Sequence, residues 1–140
     1  MFIVIDTNIF IAALIKDSLT RRLILNTRAR LLFPELILDE LRNHEQEIIK
    51  KARLSKQEYL FILSKLLKYV MIVPSELYLP FKESAKEIMD KIDPEDSVFI
   101  ATSLAFGNCA IWSDDKHFKR QNFVKIITTK DMIKAYKNHR

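Results

Sequence analysis

The 140-residue chain has one glycine, Gly107, one cysteine, Cys109, and three histidines. Phosphate-cradling loops of the Walker A type and dinucleotide-binding turns each need several glycines close together, so both classes are excluded. A lone cysteine cannot form an internal disulfide and points to a reducing compartment. With His44, His117 and His139 scattered along the chain, it cannot complete the usual four-ligand zinc site either. No serine lies in a Gly-x-Ser-x-Gly elbow, which removes the α/β-hydrolases. No apolar run approaches the ~18 residues of a membrane span. The apolar N-terminus has no basic stretch ahead of it and carries Asp6, unlike a secretion signal. The expected setting is cytoplasmic, away from membranes.

What is present is a 49% hydrophobic, 29% charged sequence, which reads as one domain over residues 1–140. A chain of this length buries roughly two-thirds of its unfolded surface, enough to fold without a structural metal. The net charge of +5 is unevenly placed. From Lys116 onward there are eight Lys and Arg against one acid, Asp131, a balance of +7, and the first 115 residues carry −2. A basic end on a mildly acidic body fits a polyanion-binding face, and equally a solvated terminal helix.

Phe2 to Ile5 is a short apolar, β-branched run ending at Asp6, the pattern of a buried parallel strand. Asn8 can cap a helix reaching Ile15, and Ser18 can cap another. Leu31 to Phe33 reads as a second strand, followed by Pro34 at a first helical position and a helix to about Lys51. Ser55-Lys56-Gln57-Glu58 is a capping-box pattern. In the helix behind it, Leu60, Phe61, Ile62, Leu63, Leu66 and Leu67 cover more than one stripe, as a deeply buried helix or half of an interface would. Tyr69 to Val73 reads as a third strand and about Pro80 to Lys91 as a helix. Asp93 and Pro94 start another helix, which Gly107 closes. Cys109 to Trp112 and Val124 to Ile127 make strands four and five, and Thr128 to Asp131 opens a final helix. Short apolar strands alternating with helices give an α/β class, a three-layer α/β/α sandwich around a five-stranded parallel sheet.

In such sheets ligands sit beyond the carboxyl ends of the strands, where the strand order reverses. Asp6 ends the first strand, and Asp114 and Asp115 follow the fourth after Ser113. The helix leading into the fourth strand runs antiparallel to it, returning Asp96 in its first turn to the same edge. Glu40 lies ~9 Å along the helix after the second strand. Four carboxylates at one edge repel one another unless a cation neutralises them. Mg²⁺ or Mn²⁺ takes oxygen ligands and is typically shared with substrate phosphates, so hydrolysis of a nucleic-acid backbone is the chemistry expected.

Ile-Asp6-Thr7-Asn8-Ile, Leu-Asp39-Glu40-Leu-Arg, Asp93-x-x-Asp96 with Ala101-x-x-Leu104-Ala105, and Trp112-Ser113-Asp114-Asp115-Lys116-His117-Phe118 together resemble, in order, the motifs of the PIN-domain ribonucleases. The resemblance makes Asp6, Glu40, Asp96 and Asp115 the catalytic acids, with Asp6, Asp96 and Asp115 as the metal positions. Asp93 would be an outer or fifth member. The family pattern at the last motif is usually Thr-x-Asp, here Ser113-x-Asp115. Asp115 is therefore assigned over Asp114, which stays a competitor, and Ser113 supplies the equivalent hydroxyl. Asn8 matches a polar position that fixes Asp6 or a metal-bound water. The resemblance also implies a homodimer and, for small members such as the VapC-like toxins, a toxin role opposite an antitoxin protein.

Each residue also has a plainer reading. Asp93 and Asp96 alone are helix-start acids, and Glu40 alone is a solvated helix residue. Asp6 is harder to dismiss, since a carboxylate directly after a buried strand must be capped, paired or metal-bound. Lys116, Lys119 and Arg120 adjoin the acids and read as phosphate contacts or as surface charge. His117 reads as a partly exposed histidine in a short helix, and Trp112 and Cys109 as core. A receiver domain would need an acidic pair at the first strand and an acceptor aspartate ending the third, where Val73-Pro74-Ser75 stands instead. The expectation is a Mg²⁺- or Mn²⁺-dependent endoribonuclease, and the alternative a non-catalytic RNA- or protein-binding module on the same fold.

Overall fold

The computed structural model describes residues 1–15 and 18–138. Five parallel strands, β1 (Phe2–Ile5), β2 (Arg30–Pro34), β3 (Val70–Val73), β4 (Ala110–Trp112) and β5 (Ile126–Ile127), form one sheet in the order β3-β2-β1-β4-β5. The helices are α1 (Thr7–Leu14), α2 (Leu19–Asn26), α3 (Glu35–Asn43), α4 (Glu45–Ala52), α5 (Lys56–Tyr69), α6 (Ser75–Tyr78), α7 (Lys82–Met89), α8 (Ser97–Ala105) and α9 (Thr129–Asn138). Helices α1, α2, α5 and α9 pack together on one face of the sheet and α6, α7 and α8 on the other. Two covered faces explain why Val4, Ile5, Leu32, Phe33, Ile111 and Trp112 are all fully buried. This is the three-layer α/β/α sandwich expected. No helix among the described residues is long and apolar enough to cross a membrane.

From β1 the chain moves toward β2 and β3, and from β4 toward β5, so the strand order reverses between β1 and β4. Ile5 pairs with Trp112 across that junction, which leaves Asp6 and Ser113 side by side just past it. Beneath the junction runs a file of rings: Phe10 of α1 stacks on Phe33 of β2 at 4.4 Å, Phe33 meets Phe99 of α8 at 6.3 Å, and Phe99 meets Phe118 edge-on at 6.1 Å. Asp6, Asp96 and Asp115 each stand at the start of an element that contributes a ring to this file.

Several boundaries differ from the sequence reading. Asp6, not Asn8, caps α1, because its carboxylate reaches the Ile9 N–H while Asn8 is already helical and exposed. Pro34 closes β2 in extended backbone, and the helix starts at Glu35. The single helix expected to Lys51 breaks at His44 (φ −115°, ψ 24°) into α3 and α4. The helix expected from Pro80 is preceded by α6 and a 3-10 turn at Leu79–Phe81. Asp93 caps a 3-10 turn, Pro94–Asp96, rather than α8 itself. Chain reversal after α8 uses two left-handed residues, Gly107 (φ 68°) and Asn108 (φ 60°). The Ser55–Glu58 capping box forms as read. On α5, Leu63 and Leu66 are buried, whereas Leu60 and Phe61 are 46% and 60% exposed, so the second apolar stripe faces outward.

Candidate metal centre

Asp6 is 4% exposed, and both its oxygens are engaged. Oδ1 accepts the Ile9 N–H at 2.9 Å, which ties it to the start of α1, and Oδ2 accepts the Ser113 hydroxyl across the junction. Ser113 Oγ in turn accepts the Asp115 N–H at 3.0 Å, so one hydroxyl orients two acids. Asp115 Oδ1 accepts the His117 N–H at 2.9 Å and thereby caps the 3-10 turn Lys116–Arg120. Asp93 Oδ1 accepts the Glu95 N–H at 3.1 Å, starting the turn that ends in Asp96.

These short helical starts direct acids at one another. Burial pushes the Asp6 carboxyl above its ordinary value, with Asp115 and Asp114 adding to the rise and the Ser113 and Ile9 hydrogen bonds opposing it. Burial, followed by the negative charges of Asp93 and Asp115, the hydrogen bond to Asp93 and the charge of Asp6, pushes Asp96 up to about 7. A carboxyl half-neutral at neutral pH beside three others marks a place where negative charge is under-compensated by the protein.

Among the acids named from the sequence, Asp6, Asp93, Asp96 and Asp115 are thus gathered at the β1–β4 junction with Ser113 among them. Asp114 is turned away: its oxygens accept the Thr129 N–H at 2.7 Å and the Thr129 hydroxyl at 2.6 Å, at the start of α9. Glu40 is exposed on α3 and enters none of the hydrogen bonds that link the aspartates. Asn8 gives no hydrogen bond to Asp6. Lys116, Lys119 and Arg120 are exposed on the turn that Asp115 caps. Sequence reasoning passed over His117, whose Nδ1 lies 3.3 Å from Asp115 Oδ1 and 3.6 Å from Asp93 Oδ2. One ligand atom each from Asp93, Asp96 and His117 lie within 4.8 Å of one another. Only its place two residues after Asp115 hinted at this, and spacing in a short turn does not fix a ring's direction. The donor set, carboxylate oxygens with one nitrogen, fits a small divalent ion.

The sequence matches the PIN domain family over residues 4–136. Among curated proteins none matches the chain. A crystal structure of VapBC2 from Rickettsia felis, bound to a DNA fragment from the promoter, contains a chain that is 19% identical to this one. The alignment covers 91% of this chain and 98% of that one, with a TM-score of 0.68, a likeness of fold.

Proposed function

The chain belongs to the PIN domain family, and from that premise we propose that it is a metal-dependent endoribonuclease with Asp6, Asp96 and Asp115 holding Mg²⁺ or Mn²⁺. The observation that carries the proposal is the convergence of four aspartates at the β1–β4 junction, where burial, together with the charges of the neighbouring acids, lifts Asp96 to about 7. A bound divalent ion would supply what phosphodiester hydrolysis needs, an activated water and compensation of charge on the leaving oxygen. Ser113 holds Asp6 and the Asp115 backbone in a fixed relation, so the two carboxylates are aimed before any substrate arrives. Asp93 fixes the turn that presents Asp96. Glu40, the sixth residue of α3 and exposed, is assigned the family's remaining acidic position, and Asn8, exposed in the first turn of α1, the polar position after the first motif. Lys116, Lys119 and Arg120, on the turn beside the acids, position the RNA through its phosphates.

The chain is further proposed to act as the toxin of a toxin–antitoxin pair and to form a homodimer. The fold likeness to VapBC2 supports a protein partner. The outward stripe of α5, Leu60 and Phe61, supports self-association there. Phe61→Glu is expected to turn a dimer into a monomer in sedimentation, and an unchanged dimer would move the contact elsewhere.

The decisive experiment is cleavage of a pool of structured and unstructured RNA by wild type and Asp6→Asn, with Mn²⁺, Mg²⁺ or EDTA. Cleavage by wild type alone, abolished by EDTA, is the expected result. Binding of Mn²⁺ without cleavage of any RNA would overturn the nuclease assignment and leave a binding module on this fold.

A further inference from the structure

His117 has no part in the mechanism above, yet its surroundings give it one. Its backbone is pinned on both sides: the N–H donates to Asp115 Oδ1 at 2.9 Å, and the next side chain, Phe118, is 1% exposed and packs edge-on against Phe99 of α8. Asp96 immediately precedes α8, so the same ring contact fixes the turn bearing His117 against the element bearing Asp96. The turn consequently presents the imidazole to the acids. It lies 3.3 Å from Asp115 and 3.6 Å from Asp93, with ligand atoms of Asp93, Asp96 and His117 within 4.8 Å of one another. Ligands on an octahedral ion with bonds of about 2.1 Å are separated by about 3.0 to 4.2 Å, so one ion reaches all three after small side-chain rotations. The ring is half-exposed, with side-chain accessibility of 50%, and can turn without disturbing the core.

Resting on the metal-nuclease reading, we infer that His117 donates an imidazole nitrogen to the ion at Asp96, with Asp93 as a further oxygen ligand beside those named above, making a mixed nitrogen–oxygen centre that prefers Mn²⁺ to Mg²⁺. Mg²⁺ takes oxygen ligands and gives up its waters reluctantly, whereas imidazole is a good donor to first-row transition ions. A competing role is a protonated His117 that merely offsets the acids, and it predicts a different metal response.

The test is Mn²⁺ and Mg²⁺ titration by calorimetry together with pulsed electron paramagnetic resonance of bound Mn²⁺, on wild type, His117→Ala, His117→Gln, Asp96→Asn and the exposed control His44→Ala. The expected result is a nitrogen coupling in wild type and His44→Ala that is lost in both His117 variants. Their Mn²⁺ affinity should fall on the order of tenfold, the scale on which losing one supporting group of a metal site registers. Mg²⁺ affinity should change by less than about twofold. If wild type binds Mn²⁺, Asp96→Asn weakens it, and neither a nitrogen coupling nor a His117 effect is seen, the centre is oxygen-only: the inference fails while the metal reading stands. Equal effects of His117→Ala on both ions without nitrogen coupling would also overturn it, in favour of the charge-offsetting role. Uptake of neither ion by wild type would remove both readings.

Discussion

Two acid-rich corners lie a few residues apart beyond β4, and the protein treats them in opposite ways. In one, Asp114 accepts the N–H and hydroxyl of Thr129, and Asp131 accepts the Thr128 N–H at 2.9 Å while donating its own N–H to the Thr128 hydroxyl. There the Thr128 hydrogen bonds, helped by Lys119 and Lys134, hold the Asp131 carboxyl below its ordinary value. In the other, Asp6 and Asp96 are raised by burial and by neighbouring acids. The first corner is acid consumed in starting α9. The second is acid in excess of the local N–H groups, and excess negative charge at a strand-order reversal is what a cation would relieve.

The sharpest way to break this contrast is to neutralise one acid in each corner. Asp115→Asn is expected to lower RNA cleavage by about a hundredfold or more, the loss typical of a misplaced or missing group at a reacting centre. Asp114→Asn should stay within about threefold of wild type, since it changes a helix start and not the acid cluster. A fluorogenic RNA assay decides it, and the reverse ranking would mean that Asp114 rotates into the site on metal binding. Glu40→Gln is expected between the two, at about tenfold, because Glu40 is exposed on α3 and is not part of the hydrogen-bonded group. A loss as large as that of Asp115→Asn would show that α3 closes on the substrate.

The corners should also respond oppositely to pH. Asp96 at about 7 binds a proton more readily folded than unfolded, so its contribution is intact below the ordinary carboxyl value near 4 and is lost as pH rises toward 7. Asp6 shifts in the same direction. Asp131, lowered, contributes in the opposite sense and loses its stabilisation only in acid. Metal-free protein should therefore melt lower at pH 7.5 than at pH 5.5. Screening at the partly exposed Asp96 leaves roughly 1 kcal/mol of the effect, or about 3 °C. Mn²⁺ should raise the melting temperature at pH 7.5 more than at pH 5.5, and Asp96→Asn should flatten the metal-free profile. A profile unchanged by Asp96→Asn would place the strain elsewhere.

The carboxyl-edge gathering of Asp6, Asp96 and Asp115 was legible because it follows from topology. A strand ending in an acid, a helix running back antiparallel, and an acid one residue past Ser113 all project to one edge once the sheet is parallel. The residues alone do not choose between Asp114 and Asp115, and only the family pattern does, since the choice depends on which carboxylate finds the Thr129 N–H, a contact between residues 15 apart. The break at His44 of the helix expected to run to Lys51 is only faintly legible: Asn43 and His44 are weak helix formers inside an otherwise helix-favouring run, and the turn there lets Leu41 and Ile48 both reach the core. The sequence offers Asn8 as a cap for a similar reason: Asp6 and Asn8 are both good caps, and only the tertiary position of Asp6, held from the far side by Ser113, selects it.

The smallest effect tests the first corner from the stability side. Asp114→Ala removes an acceptor from the first N–H of α9 and from the Thr129 hydroxyl, at a cost of about 1 kcal/mol in urea unfolding, as for other helix-start acceptors. The indole N–H of the fully buried Trp112 donates to that same Thr129 hydroxyl at 3.0 Å. Deleting the Asp114 carboxylate leaves that bond in place, since the hydroxyl keeps its lone pairs and its proton can turn to solvent. Thr129→Val instead strands the indole donor, so it should cost more than Asp114→Ala by the penalty of an unpaired buried polar group, about 1 to 3 kcal/mol. If the two substitutions cost the same, water reaches the indole once Thr129 is gone, and the first corner is looser than its hydrogen bonds imply.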